Sequence, residues 1–192
     1  MSNRFYAGIG ARKTPDNVLK AFEEIGRQLA TRGYVLRSGA CEGADAAFER
    51  GCDLEHGEKE IYLPWKGYNG HPSELYNEAV DPFATEIAKS LHPNWDDTDE
   101  KGSRYLTRDV CQVLGGSLDK PCDFIICWTK DGRFIGGTAM AMRVAVDNGI
   151  KIFNAGLYSH SMWDDTKYPR FGGRSKFIEE VIGYAEYIIN KG

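Results

Sequence analysis

No stretch of the 192 residues approaches the roughly 18 consecutive apolar residues that a membrane-spanning helix needs. Met1 to Tyr6 hold no charged region followed by an apolar run, so no signal peptide is expected. No Cys-x-x-Cys occurs. Cys41, Cys52, Cys111, Cys122 and Cys127 are odd in number and irregular in spacing, which reads as reduced thiols in the cytoplasm. His56, His71, His92 and His160 show no ligand spacing, and no His-Glu-x-x-His is present. No metal site is expected, and nothing in the sequence asks for a cofactor. There is no Walker A sequence and no Gly-x-Ser-x-Gly elbow. A basic excess is missing as well: 24 Lys and Arg stand against 28 Asp and Glu, a net charge of −4. Proteins that mainly grip a phosphate backbone are usually basic, so DNA or RNA is disfavoured as the principal partner.

What is present is ordinary for a globular domain. Hydrophobic residues make up 42% and charged residues 27%, and the length suits one domain over residues 1–192. No internal repeat, low-complexity segment or linker interrupts the chain. Strand and helix patterns alternate, which points to an α/β, Rossmann-like open parallel sheet of about five or more strands with helices on both faces. Arg4 to Gly8 reads as the first strand. Val18, Phe22, Ile25 and Leu29 then form one helical stripe, after Pro15 in a first-turn position. Tyr34 to Arg37 and Lys59 to Leu63 read as strands, with a small-residue helix over Ala44 to Arg50 between them. Residues 64 to 103 are the least regular, with helices expected near Ser73 to Asn77 and Pro82 to Ser90. A helix over Arg104 to Leu114 precedes the apolar run Asp123 to Trp128, which fits a central parallel strand. A helix over Ala139 to Asn148, a strand over Lys151 to Asn154 and a helix over Ser175 to Asn190 complete the chain.

Three glycine loops fall between a strand and a helix: Gly8 to Thr14, Ser38 to Asp45, and Gly136 to Thr138. In an open parallel sheet this is where ligands bind. Glycine lets a backbone approach a ligand, and the following helix start offers unpaired N–H groups that suit phosphate. The first loop is not Gly-x-Gly-x-x-Gly, because Gly8 and Gly10 are followed by Lys13. One such loop alone would read as a turn. Three in one short domain point to a shared pocket.

These segments resemble the SLOG superfamily, which includes the DNA-processing protein A family, the YpsA-like proteins and the Lonely Guy cytokinin-activating hydrolases. The resemblance rests on Gly8 to Pro15, Leu29 to Phe48, Tyr105 to Val110, and Phe124 to Thr129 followed by Gly136 to Ala141. It spans roughly residues 4 to 154. It implies a Rossmann-like sheet whose pocket holds a nucleotide-like ligand. Carried over residue by residue, Gly8, Gly10, Ala11 and Arg12 fall on the first loop. Ser38, Gly39, Glu42, Gly43 and Asp45 fall on the second, and Gly136, Gly137 and Thr138 on the third. Arg104 and Arg108 offer forked guanidinium groups for phosphate, or alternatively a solvated helix face. Asp45 reads either as a site residue or as a charge complementing a helix start. Trp65 is the best candidate for stacking on a base, whereas Trp128 is expected in the core. The Asp96 to Glu100 cluster reads as a solvated acidic loop.

The Lonely Guy signature is Pro-Gly-Gly-x-Gly-Thr-x-x-Glu. Aligned on Thr138, its Glu position falls on Ala141, which weighs against hydrolysis. Glu42 reads as an exposed loop acid or as a carboxylate from another direction. The first expectation is therefore a sensor or sequestering protein for a nucleotide or nucleotide-derived signal, such as a cyclic or ADP-ribose-type molecule. The second is an N-glycoside (phosphoribo-) hydrolase acting on a nucleotide, and the third a DNA-binding recombination mediator. The partner expected is a small phosphorylated ribose or nucleotide ligand, with no membrane. By analogy with relatives, the protein is expected to be a homo-oligomer.

Overall fold

The computed structural model describes residues 4–76, 81–158, 163 and 173–191. Five parallel strands form one sheet: β1 (Arg4–Gly8), β2 (Tyr34–Ser38), β3 (Lys59–Ile61), β4 (Phe124–Cys127) and β5 (Lys151–Asn154). Their order is β3-β2-β1-β4-β5. Helices α1 (Asp16–Thr31), α2 (Ala44–Leu54), α3 (Pro82–Leu91), α4 (Glu100–Leu114), α5 (Thr138–Asp147) and α6 (Gly173–Lys191) lie between and after the strands.

The two faces follow from strand alternation. On β4, Phe124 and Ile126 join Tyr6, Leu36 and the buried sides of α1, α2 and α6. Ile125 and Cys127 point the other way, into a core shared with α3, α4 and α5. Both faces are covered, so β4, an interior strand beside β1, is apolar throughout, as its sequence predicts. Phe22 and Phe48 stack with ring centroids 4.4 Å apart and lock α1 onto α2. All five cysteines carry free thiols, four of them buried. No helix among the described residues is long and apolar enough to cross a membrane.

Three expectations need correction. Residues 74–76 form a bend and turn where a helix over Ser73 to Asn77 was expected; Asn77 lies outside the described residues, as does His160. The acidic cluster is not a plain loop. Trp95–Asp97 is a short 3-10 turn, Asp99 Oδ1 accepts the Gly102 N–H at 2.6 Å, and Glu100 opens α4. Acidic groups at that end complement the helix dipole. Trp128 is only half-buried and lines a cavity as well as touching the core.

Candidate functional site

The strand order reverses between β1 and β4, whose following loops diverge to opposite sides of the sheet. A crevice opens at such a point. Here the two loops are zipped together before they part. Ile9 N–H donates to the Ile126 carbonyl at 3.1 Å, and Ala11 N–H to the Trp128 carbonyl at 3.4 Å. Thr14 closes the first loop by donating its hydroxyl to the Ala11 carbonyl at 2.7 Å. Asn154, at the end of β5, fixes the other loop. Its Oδ1 accepts Thr129 N–H at 3.2 Å and its Nδ2 donates to Thr129 Oγ1 at 2.8 Å.

Above them lies a cavity of about 880 Å³, lined by both loops, one face of α4 and the start of α5. Of the expected site residues, Gly10, Ala11, Arg12, Asp45, Arg108, Gly136, Gly137 and Thr138 line it. Gly8, Ser38, Gly39, Glu42 and Gly43 do not. Trp65 and Arg104 line a separate, open depression beside Asp99, Glu100 and Lys101, where Arg104 pairs with Glu100 at 3.0 Å.

The second loop has a structural job. Asp45, 3% exposed, accepts Gly10 N–H with Oδ1 at 3.2 Å and, with Oδ2, Gly39 and Cys41 N–H at 3.2 and 3.3 Å. One carboxylate therefore ties the first loop to the second. Ser38 donates its hydroxyl to the Gly8 carbonyl at 2.7 Å. A Cβ on Gly39 would lie 1.9 Å from Arg108 Nη1, so the missing side chain at this position makes room for Arg108. Gly8 and Gly10 likewise abut Phe48 and Ala44. At Gly136 and Gly137 the opposite holds: nothing lies within 4 Å of an added Cβ. Gly136 has φ +66°, a left-handed conformation that favours glycine, and it delivers the chain into α5. No side chain caps that helix start; Ala139 and Met140 N–H donate to the Gly136 and Gly137 carbonyls at 3.2 Å, and the Thr138 N–H has no partner among the described residues.

Helix α4 contributes features that sequence reading missed. Its second half, Thr107 to Leu114, is wholly buried. Tyr105, Arg108, Asp109 and Gln112 recur at i, i+3, i+4 and i+7 and all line the cavity. That polar stripe was present in the sequence as a spacing. Arg108 is 6% exposed; its Nε donates to Asp109 Oδ1 at 2.9 Å and its Nη1 to the Gly39 carbonyl at 2.7 Å. Burial pushes the Asp109 carboxyl up to about 7, against the opposing pull of Arg108. Burial also pushes Asp45 up to about 6, with Arg108 and the three N–H donors opposing.

The remaining lining is cationic and apolar. Arg12, Lys13, Lys130 and Arg143 line the cavity, and none is ion-paired with a described residue. Tyr68 beside Arg12 pushes that guanidinium further up and keeps it charged. Ile9, Leu106, Trp128, Phe134, Ile135 and Ala141 supply apolar wall. No group of three or more metal-ligating side chains occurs among the described residues.

No protein-family model matches the chain, and no curated protein matches it significantly. Solved structures do. DNA-processing protein A from Streptococcus pneumoniae aligns with a TM-score of 0.53 at 14% identity, covering 95% of this chain and 56% of that one. The chain thus spans little more than half of that protein's length. Two structures of the Moco carrier protein from Chlamydomonas reinhardtii align with TM-scores of 0.49 and 0.41, at 16% and 15% identity. They cover 81% and 80% of this chain and 77% and 89% of those chains. The chain has the Rossmann-like fold of DNA-processing protein A, the fold that its SLOG resemblance implied.

Proposed function

We propose that the protein captures a nucleotide or nucleotide-derived signal and holds it, as a sensor or a sequestering protein. The observation that carries this is the meeting of four cations, Arg12, Lys13, Lys130 and Arg143, that pair with no acid among the described residues, with the start of α5, which no side chain caps, around one cavity. A chain with net charge −4 concentrates positive charge there, which suits phosphate. The volume, about 880 Å³, falls within the roughly 300–1,000 Å³ typical of small-molecule sites. We further propose that residues 1–192 act as one cytoplasmic domain and assemble as a homo-oligomer.

A nucleotide panel followed by melting temperature tests this. A ligand at a hundred times its dissociation constant adds about 2.7 kcal/mol of stability, which is easily seen. Chromatography of the ligand afterwards must return it intact. Salt-sensitive retention of single-stranded DNA with no nucleotide shift would instead favour recombination mediation.

One observation favours a second reading, cleavage of a nucleotide N-glycosidic bond. Asp109 stands in the cavity wall with its carboxyl raised to about 7, a value suited to general acid catalysis near neutrality. Ala141 weighs against it. Release of free base during the same incubation would decide for hydrolysis.

A further inference from the structure

Phe134 and Ile135 line the cavity, yet they stand 44% and 42% exposed. Elsewhere the apolar wall is fixed, since Ile9 and Ala141 belong to the buried core. Two large apolar side chains in succession thus face water at the cavity's edge, where anything that covers them is favoured.

The segment that carries them is pinned at its root and loose at its tip. Asn154 holds Thr129, just before it. Gly156 has no room for a Cβ against the Thr129 carbonyl, and Gly132 has none against Leu157. Beyond Gly132 the bonding becomes local. Arg133 N–H donates to the Lys130 carbonyl at 3.2 Å, Ile135 N–H to the Arg133 carbonyl at 2.9 Å, and Arg133 pairs with Asp131 at 3.2 Å. Among the described residues, no hydrogen bond ties residues 133–135 to another segment. Nothing lies within 4 Å of a Cβ added at Gly136 or Gly137, so packing does not hold the far side either. Gly132 and Gly136 bracket the tip, both left-handed, at φ +69° and +66°. Hinges are a few loop positions that absorb changes of backbone angle, and glycine does so with the least strain.

We infer that residues 133–135 form a flap that turns about Gly132 and Gly136 and closes on a bound ligand, with Phe134 and Ile135 covering its apolar part. This rests on the phosphate-binding reading above. Phosphate at the start of α5 sits beside the Gly136 hinge, and the flap then covers what the phosphate is attached to. The ligand class that uses both is a phosphate joined to a flat, largely apolar group such as a nucleoside. A bare phosphate or a sugar phosphate leaves Phe134 and Ile135 in water. Closure removes them from water and slows release of the ligand.

Limited trypsin digestion of the whole chain reads the flap directly, because Arg133 is exposed within it. The probes are adenosine and guanosine 5′-monophosphates, the free nucleosides, ribose 5-phosphate and pyrophosphate, with each affinity measured by calorimetry. Cleavage after Arg133 is expected to slow about tenfold or more with a saturating nucleotide, and to change little with saturating ribose 5-phosphate or pyrophosphate. The double variant Phe134→Ser, Ile135→Ser is expected to lose about tenfold or more in nucleotide affinity through faster dissociation, and to bind pyrophosphate as before. Should that variant not fold, digestion of the wild-type protein still decides. Equal cleavage with and without bound nucleotide overturns the inference, as does unchanged nucleotide affinity in the folded variant; pyrophosphate binding in either case leaves the phosphate reading standing. Protection by pyrophosphate as strong as by nucleotide overturns the apolar cover. Free nucleosides that bind and protect as well as nucleotides overturn the phosphate reading and keep the flap. No binding of any probe overturns both.

Discussion

Arg108 Nη1 donates to the Gly39 carbonyl at 2.7 Å, and a Cβ on Gly39 would sit 1.9 Å from that same nitrogen. The guanidinium fits because position 39 has no side chain. Gly39→Ala should therefore displace Arg108, break its bond to the loop and leave a buried charge poorly held. Overpacking and the lost charged hydrogen bond together should cost about 3 kcal/mol, read from urea denaturation. A variant within 1 kcal/mol of the wild type would mean the loop relaxes around the methyl.

Gly137 should behave in the opposite way. Its backbone is helical at φ −59°, and nothing lies within 4 Å of an added Cβ. Gly137→Ala should leave stability within about 0.5 kcal/mol. Gly137→Asp should fold equally well but weaken a phosphate ligand about tenfold or more, because a carboxylate would then stand at the helix start. Unchanged affinity would place the phosphate elsewhere.

Asp45 accepts three backbone N–H groups from two loops. Asp45→Ala leaves all three donors without their acceptor, one of them buried and two part-buried. The expected loss is about 3 kcal/mol or more in a denaturant titration, together with loss of ligand binding. Wild-type stability would show that water replaces the carboxylate.

The raised carboxyls also set a pH dependence. Asp45 at about 6 and Asp109 at about 7 hold protons in the native state that an unfolded chain has released above about 4. Between about pH 4 and pH 7 the native state binds more protons, so this contribution to stability falls as pH rises and levels off above 7. Melting temperature should drop from pH 5 to pH 7.5, and Asp109→Asn should flatten the drop. A slope identical in the two proteins would remove Asp109 as its source.

Arg104 and Arg143 make a paired test. Arg104 pairs with Glu100 outside the cavity, whereas Arg143 lines it and pairs with no acid among the described residues. Arg143→Ala should weaken a phosphate ligand about tenfold, more so at low salt. Arg104→Ala should leave affinity and stability nearly unchanged, since exposed ion pairs contribute ~0–1 kcal/mol. A larger effect from Arg104 would relocate the site.

The local elements of this fold are written in the sequence. Phe124 to Cys127 is apolar at every position because both sheet faces are covered. The stripe Val18, Phe22, Ile25 and Leu29 is buried as its spacing requires. The three glycine loops do follow β1 and β2 and precede α5. These features are local: strand alternation and helical periodicity are written in consecutive residues.

The tertiary structure decided which way those residues face. Arg104 and Arg108 are one helical turn apart, yet the first stands at the open end of α4 and the second is sealed beneath the Gly39 loop. Trp128 and not Trp65 reaches the cavity, because β4 and not β3 borders the reversal of strand order. Glycines 10 and 39 make space for protein atoms, while Gly136 and Gly137 leave it open. The sequence determined the fold class and the loops where a ligand could sit. Only packing between distant segments decided which loop lines the cavity and which braces it, because a side chain's partner is set by what the rest of the chain brings against it.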